Sequence, residues 1–211
     1  MAPGSARVPP RPRGQQHNWF KANRWRYDEY LLEPARRLAE TLSNLGEPHF
    51  FRPYNDTRFH MRPPIKEQLG VAIGYGGAGG FYFELSLDGL LVAAGMHRPA
   101  SDQLTRFRAA IDDDRRARSF ERVVAAAEEA GLALQPPGLK RAPRGYPVDH
   151  PRIDRLRLTE LAVYRRHDLE PWLHEPACDK RIRDGLEAAR PLVEWLREHV
   201  GPVDPRPGRS S

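Results

Sequence analysis

Hydrophobic residues recur along this chain with two different spacings, and the spacing changes three times. The first segment has a helical period: it begins at Asn18, the expected N-terminal cap, and ends at Gly46, with Pro34 starting a second helical segment. From Phe50 to Met96 the period falls to two, which is typical of strands. The helical period returns at Ser101, another expected cap. A late strand and a last helix follow.

The strand region predicts an antiparallel sheet. Its alternating apolar residues are Leu69, Val71, Ile73, Phe81, Phe83, Leu85 and Leu87. Asp88-Gly89 is a strong hairpin signal, and Leu90 to Met96 forms the expected return strand. The last apolar stripe, from Ile182 to Val200, predicts a long C-terminal helix. This order of elements indicates an α+β fold, in which helices pack on one face of an antiparallel sheet.

One domain, residues 17–200, is predicted between two tails. Residues 1–16 and 201–211 are rich in Pro, Gly, Arg and Ser without a hydrophobic period, which predicts disorder. The first segment lacks the apolar core of a secretory signal, and no stretch approaches the roughly 18 apolar residues that a membrane helix needs. We therefore expect a cytoplasmic protein that makes no membrane contact.

The charge is less informative than its total suggests. Of a net charge of +6, the first 17 residues carry +3 and the last 11 carry +1, which leaves +2 for the residues between them. Two net charges over a whole domain argue against nucleic acid as a partner. The basic tails and rim arginines still leave one alternative, a non-enzymatic module that binds a protein or nucleic acid.

Several motifs resemble functional signatures but lack the required context. Gly74, Gly76 and Gly79 fit a dinucleotide-binding spacing, yet a strand follows them where that motif opens a helix, so a hairpin loop is expected. His174-Glu175 lacks the second histidine of a zinc motif, and Pro176 breaks its helix. The single cysteine, Cys178, is expected to be a buried spectator. We predict neither a metal nor a cofactor.

An acidic run, Asp112 to Asp114, marks the expected junction of two helices. Carboxylates at a helix N-terminus are stabilised by its positive dipole end. Capping therefore explains these aspartates without a metal ion.

The first candidate site lies between Arg52 and Lys66. Arg52, Asp56 and Arg58 share parity, so in an extended chain they project to one side, and Lys66 follows shortly after. A carboxylate between guanidinium groups orients a cationic fork that can take an anion. The predicted partner is an anionic small molecule. The alternative is a structural Asp–Arg pair that fixes the strand to a neighbouring loop.

The second candidate site is the Pro- and Gly-rich loop from Leu139 to Pro151. Lys140 and Arg144 could donate to the same anion, and His150 is the one group here suited to acid–base catalysis near neutral pH. Alternatively, the loop covers a sheet edge with its prolines and Tyr146. The sequence favours neither interpretation over the other.

Three blocks make the chain resemble the bacterial domain of unknown function 2461 family. They are Asn18-Trp19-Phe20 with Asn23, Arg24 and Tyr27; Arg52-x-x-Asn55-Asp56-x-Arg58-Phe59 with Pro64 and Lys66; and Leu139-Lys140-Arg141 with Pro143, Arg144, Gly145, His150 and Pro151. The resemblance implies an α+β domain and no assigned activity. Asn55 stands where the family pattern has arginine, and residues 60–65 replace its acidic–Lys–Tyr portion, so the resemblance implies a divergent member.

Overall fold

The structure, a computed structural model, describes residues 13–55 and 63–204. Its α-helices are α1 (Arg13–Ala22), α2 (Arg24–Tyr27), α3 (Glu33–Thr41), α4 (Ser101–Asp112), α5 (Asp114–Glu129), α6 (Ile153–Leu156), α7 (Pro176–Ala188) and α8 (Arg190–His199). Its strands are β1 (Pro48–Phe50), β2 (Gln68–Ile73), β3 (Gly80–Ser86), β4 (Gly89–Met96), β5 (Ala133–Leu134) and β6 (Leu161–His167). A π-helical stretch, Asp28–Leu32, joins α2 to α3, and short 3-10 helices span Ser43–Leu45 and Pro171–His174.

The strands form one antiparallel sheet in the order β1-β2-β3-β4-β6-β5. Residues 74–79 connect β2 to β3, so the glycine-rich stretch is a hairpin loop, as predicted. The Asp88-Gly89 hairpin is also confirmed, with Ser86 paired to Gly89 and a φ of 116° at Gly89. Only glycine adopts such a backbone conformation readily.

Alternation along the strands gives the sheet two different faces. One face carries the predicted apolar residues Leu69, Val71, Ile73, Phe81 and Phe83, all buried, together with Leu90, Val92, Ala94, Leu161 and Val163, which are also buried. Two residues of the predicted alternation differ: Leu85 is only partly buried, and Leu87 is exposed because it lies in the turn after β3. The buried residues of this face pack in one core with apolar residues of α3, α4, α5, α7 and α8. The helices therefore lie on this face, as predicted, and we call it the packed face. The other, which we call the open face, carries Gly70, Ala72, Tyr82, Glu84, Ala93 and Tyr164.

The helical layer is centred on three aromatic rings. Phe120 lies between Phe107 and Trp195, with centroid distances of 5.4 and 4.9 Å. Trp195 also donates a hydrogen bond of 2.7 Å from Nε1 to Ser119 Oγ. Asp113 caps α5 by accepting from the backbone N–H of Arg116 at 2.8 Å, which confirms the predicted capping for this member of the acidic run. Asp112 and Asp114 instead contact His150 and Arg152.

Two helix starts differ from the sequence prediction. The prediction of Asn18 as a cap was wrong, because α1 begins at Arg13 and Asn18 lies inside it. Ser101 is the first residue of α4 rather than its cap. The residue before it, Ala100, donates its backbone N–H to Gln103 Oε1 at 3.0 Å. A side chain from within the helix thus replaces the expected hydroxyl cap.

The predicted C-terminal helix is present from Pro176 to His199, with a break at Ala189. Pro191 lies in the first turn of α8, where a missing N–H costs no hydrogen bond. Beyond α8, Gly201 to Asp204 continue along α4, where Arg106 donates to the carbonyl groups of Val200 and Pro202. The first residues of the predicted C-terminal tail therefore hold defined contacts with the domain.

Gln103 ties three parts of the fold together. Its polar side chain is buried, with an exposed fraction of 3%. Its amide nitrogen donates to the carbonyl oxygen of Gly77 at 2.6 Å and to that of Gly201 at 2.9 Å. Its carbonyl caps α4. Gln103 thereby joins α4, the β2–β3 loop and the C-terminal segment.

Replacing Gln103 with alanine should lower the free energy of unfolding by about 2–3 kcal/mol, because it leaves buried backbone groups without partners. Urea denaturation followed by tryptophan fluorescence would measure this change. The matched control is Gln68→Ala, since Gln68 is exposed and its loss should cost under about 0.5 kcal/mol. Equal stability losses in the two variants would contradict the anchoring role of Gln103.

Candidate functional site

The open face of the sheet carries a groove of about 1460 Å³. It runs across β1, β2, β3, β4 and β6, on the side of the sheet that the helices do not cover. Binding sites for small organic molecules are commonly about 300–1,000 Å³ in volume, so this groove has room for an elongated one. Its lining combines polar and aromatic side chains.

The floor of the groove consists of small residues on adjacent strands. They are Gly70, Ala72, Gly80, Ala93, Gly95 and Ala162. At Gly95 the φ is 124°, and a Cβ atom there would collide with the backbone of β6 at Leu161. At Gly70 a Cβ atom would lie 2.5 Å from the hydroxyl oxygen of Tyr82. The Tyr82 ring therefore covers Gly70 and leans toward β2, which leaves Ala93 open.

Tyr82, Glu84 and Gln68 form a hydrogen-bonded group at one wall. The Tyr82 hydroxyl donates to Glu84 Oε2 at 2.6 Å, and Gln68 Nε2 donates to the same oxygen at 2.8 Å. Burial raises the pKa of the Tyr82 phenol, and the hydrogen bond to Glu84 and its negative charge raise it further. Tyr82 thus stays protonated and acts as a donor.

His97 and Glu160 form a second polar pair at the end of the groove. His97 Nδ1 lies 2.6 Å from Glu160 Oε1, and 67% of the His97 side chain is exposed. The backbone N–H of His97 donates to the Tyr75 hydroxyl at 3.1 Å. Among the described residues nothing pairs with His97 Nε2. An imidazole oriented by a carboxylate in this way can exchange a proton through its other nitrogen.

Three cations line the groove, namely Lys66, Arg98 and Arg166. Lys66 Nζ lies 5.7 Å from the centroid of the Phe51 ring, within cation–π distance. Within residues 13–55 and 63–204, none of the three forms a salt bridge. Their charge is available to a bound anion.

Part of the first predicted site lies at this groove. Residues 51–55 and 63–67 run side by side, joined by a bridge between Tyr54 and Ile65 and by Lys66 N–H donating to the Pro53 carbonyl at 2.8 Å. This arrangement places Lys66 in the groove wall, whereas Arg52 is exposed and not part of it. Asp56 and Arg58 lie outside the described residues.

Asn55, which departs from the family pattern, has a structural role. Its backbone N–H donates to the Pro64 carbonyl at 2.9 Å, and its side-chain amide donates to the Pro63 carbonyl at 2.8 Å. Both bonds join the two halves of the 51–67 segment.

The second predicted site lies elsewhere, against the helical layer. His150 Nδ1 accepts from the backbone N–H of Arg152 at 3.1 Å, so Nε2 carries the proton and donates to Asp112 at 3.1 Å. Both ring nitrogens are occupied, which favours a structural role over proton transfer. Lys140 and Arg144 are exposed on the same loop and do not line the groove. The structure therefore does not bring His150, Lys140 or Arg144 together with Lys66.

Sequence reasoning missed most of the groove. His97, Glu160, Tyr82 and Tyr164 are separate in the chain and belong to no motif. The sequence signal that could have revealed the groove lies at the strand positions between the buried apolar residues, because these positions face the other side of the sheet. Along β2, β3, β4 and β6 those positions are rich in glycine, alanine and tyrosine, with Leu91 as their one large aliphatic residue, which is unusual for a solvated sheet face.

Replacing Glu84 with glutamine should make stability less sensitive to alkaline pH. A tyrosine whose pKa is raised by folding contributes stability that is present below about pH 10 and is lost as pH rises further. Without the carboxylate charge the pKa of Tyr82 falls, but burial, the larger cause, still keeps it raised. The stability lost between pH 9 and 11 should therefore shrink by up to roughly 0.4 kcal/mol. Urea denaturation at both pH values measures it.

Glu67→Gln is the matched control, since Glu67 lines the groove without contacting Tyr82. Its alkaline stability loss should equal that of the unchanged protein. If Glu84→Gln behaves like this control, the Tyr82–Glu84 interaction does not set the pKa of Tyr82.

Some site classes find no counterpart in residues 13–55 and 63–204. No three His, Cys, Asp or Glu side chains come together there as a metal site would require. None of the helices in these ranges has the length and apolar character to cross a membrane. Cys178 is buried, and burial raises the pKa of its thiol, which disfavours the reactive thiolate.

Comparisons with known proteins identify a family and nothing more specific. No curated protein and no solved structure matches the chain. The model of a family described as "Conserved hypothetical protein (DUF2461)" matches residues 13–195. Since this match covers most of the 211 residues, the chain belongs to the DUF2461 family, as the three sequence blocks indicated.

Proposed function

We propose that the open face of the sheet binds an elongated small organic anion that contains a flat, apolar portion. The observation that carries this proposal is the groove itself, which combines a floor of glycine and alanine with aromatic walls and cations. A sheet face that only met water would not need such a floor. In one ligand, an apolar portion would contact the floor, a flat ring would pack against the aromatic walls, and an acidic group would pair with the cations.

The space between Tyr82 and Tyr164 supports a flat ligand. Both tyrosines pair across the sheet with Ala93, so their Cα atoms are two strand spacings, roughly 10 Å, apart. Tyr82 leans away over Gly70, which leaves the methyl group of Ala93 as the floor between them. A planar ring lying there would contact apolar and aromatic surface together.

The arrangement of the charges, rather than their sum, supports an anion. The groove holds three carboxylates, Glu67, Glu84 and Glu160, and three cations. Glu84 accepts from the neutral side chains of Tyr82 and Gln68, and Glu160 pairs with His97. Among the described residues none of these carboxylates forms a salt bridge with Lys66, Arg98 or Arg166, so an acidic ligand would meet cations that are not already ion-paired.

This proposal keeps only some residues of the site predicted from the sequence. Lys66 belongs to the groove, and Asp56 and Arg58 are proposed to extend it from the adjoining segment. Lys140 and Arg144 do not line the groove and are not part of the proposed site. For proton exchange with a bound ligand, His97 is better suited than His150, because one of its ring nitrogens has no partner among the described residues. Nothing in those residues favours the alternative of an interaction module.

Filling the groove should abolish binding of an aromatic anion. The probe 8-anilinonaphthalene-1-sulfonate combines flat rings with a sulfonate, and its fluorescence rises when it binds an apolar site. Ala93→Trp places an indole on the floor and should weaken probe binding at least tenfold in a fluorescence titration. The matched control is Leu87→Trp in the exposed β3–β4 turn, which should bind the probe like the unchanged protein.

Two lysine variants test which cation contributes to binding of the probe. Lys66→Ala should weaken probe binding by roughly three- to tenfold, whereas Lys140→Ala should leave it unchanged. Equal weakening in both variants would instead support the single joint site that the sequence predicted. If neither variant, nor Ala93→Trp, alters binding, the groove is not the site.

A further inference from the structure

A second positively charged concavity lies on the helical layer, away from the groove. Three arginines of α5, Arg115, Arg118 and Arg122, follow one another at i, i+3 and i+7, so they fall within about 60° on the helix surface. All three are exposed. Neighbouring residues of α5, among them Ala117 and Phe120, face the core. The arginines thus form a row along the outer flank of the helix.

The row borders a concavity of about 500 Å³ between α5 and the start of α6. Its lining consists of the three arginines with Ala117, Glu121 and Arg152. This volume is in the range of small-molecule sites. Four of its six lining residues are arginines, and they line it mainly with their apolar stems, which leaves the guanidinium groups at its rim.

The carboxylates next to the row are already paired with other arginines. Arg155 holds Glu121 through two hydrogen bonds of 2.9 Å. Arg152 contacts Asp114 at 2.9 Å and also donates to the carbonyl groups of Ile111 and Asp112. Arg152 and Arg155 are therefore neutralised.

Arg115, Arg118 and Arg122 form no salt bridge in the part of the chain that the structure describes. Arg115 interacts at longer range with the carboxylate of Asp113, and no such interaction is found for Arg118 or Arg122 among the described residues. Like charges three and four residues apart on a helix repel each other, and an anion would remove that repulsion.

The length of the row selects among anions. At a rise of 1.5 Å per residue, Arg115 and Arg122 are separated by roughly 10 Å along the helix. A chain of three linked phosphates matches that spacing when the side chains lie in parallel, whereas a single phosphate would require the like-charged guanidinium groups to converge on it. Guanidinium groups bind phosphate oxygens through two parallel hydrogen bonds, which suits repeated phosphates.

We propose that Arg115, Arg118 and Arg122 bind a linear oligophosphate, either inorganic or the triphosphate of a nucleotide. This site is independent of the groove on the open face.

Isothermal titration calorimetry with sodium tripolyphosphate, ATP and orthophosphate tests the proposal. The variant Arg118→Gln/Arg122→Gln keeps helix propensity and should bind tripolyphosphate at least tenfold more weakly than the unchanged protein. The matched control is Arg26→Gln/Arg36→Gln, which removes the same charge from two exposed helical arginines elsewhere. Its affinity should stay within twofold.

Orthophosphate should bind at least tenfold more weakly than tripolyphosphate. Equal affinity of ATP and tripolyphosphate would assign recognition to the phosphates alone, and tighter ATP binding would assign the site to a nucleotide. The proposal is overturned if tripolyphosphate does not bind, if both double variants lose affinity equally, or if orthophosphate binds as tightly. Ala93→Trp, which fills the groove, should not alter tripolyphosphate binding.

Discussion

Burial of one face of an antiparallel sheet is the constraint on which the rest of this structure depends. Because strand side chains alternate, the residues that complete the packed face determine which residues remain for the other. Phe81 and Phe83 lie in the core with the helices, so Tyr82 and Glu84 must lie on the open face. The position of the groove therefore follows from the packing of the helices. A one-residue shift in register would exchange the two faces.

The parts of the fold that could be predicted are those determined by local pattern. The alternation in β2 and β3, the Asp88-Gly89 turn and the stripe of the last helix each depend on neighbouring residues, and all are present. The start of α1 could not be predicted, since residues 13–16 carry no apolar period and Asn18 resembles a cap. Polar residues inside a helix become caps only where the backbone already turns there.

The candidate site was harder to predict because its residues come together only through the sheet. Glu160 lies 63 positions from His97, and their contact depends on the pairing of β4 with β6. Lys66 was identified because it belongs to a dense local cluster of charge. Lys140 and Arg144 belong to an equally dense cluster but do not line the groove, since adjacent charges in a loop do not indicate which side of the domain the loop contacts.

The glycine and alanine residues of the open face lower the stability of the sheet. Glycine in the interior of a strand lowers stability by roughly 0.5–1 kcal/mol relative to alanine, and alanine itself is a weak strand former. Gly95 is required by its backbone conformation and by the close approach of β6. Ala72 is buried, so its neighbours limit the size of the side chain there. Ala93 is only partly buried, and a larger β-branched residue there would strengthen the sheet. The small side chain of Ala93 is therefore the feature of the open face that strand stability does not explain, and it leaves space above the strand between Tyr82 and Tyr164.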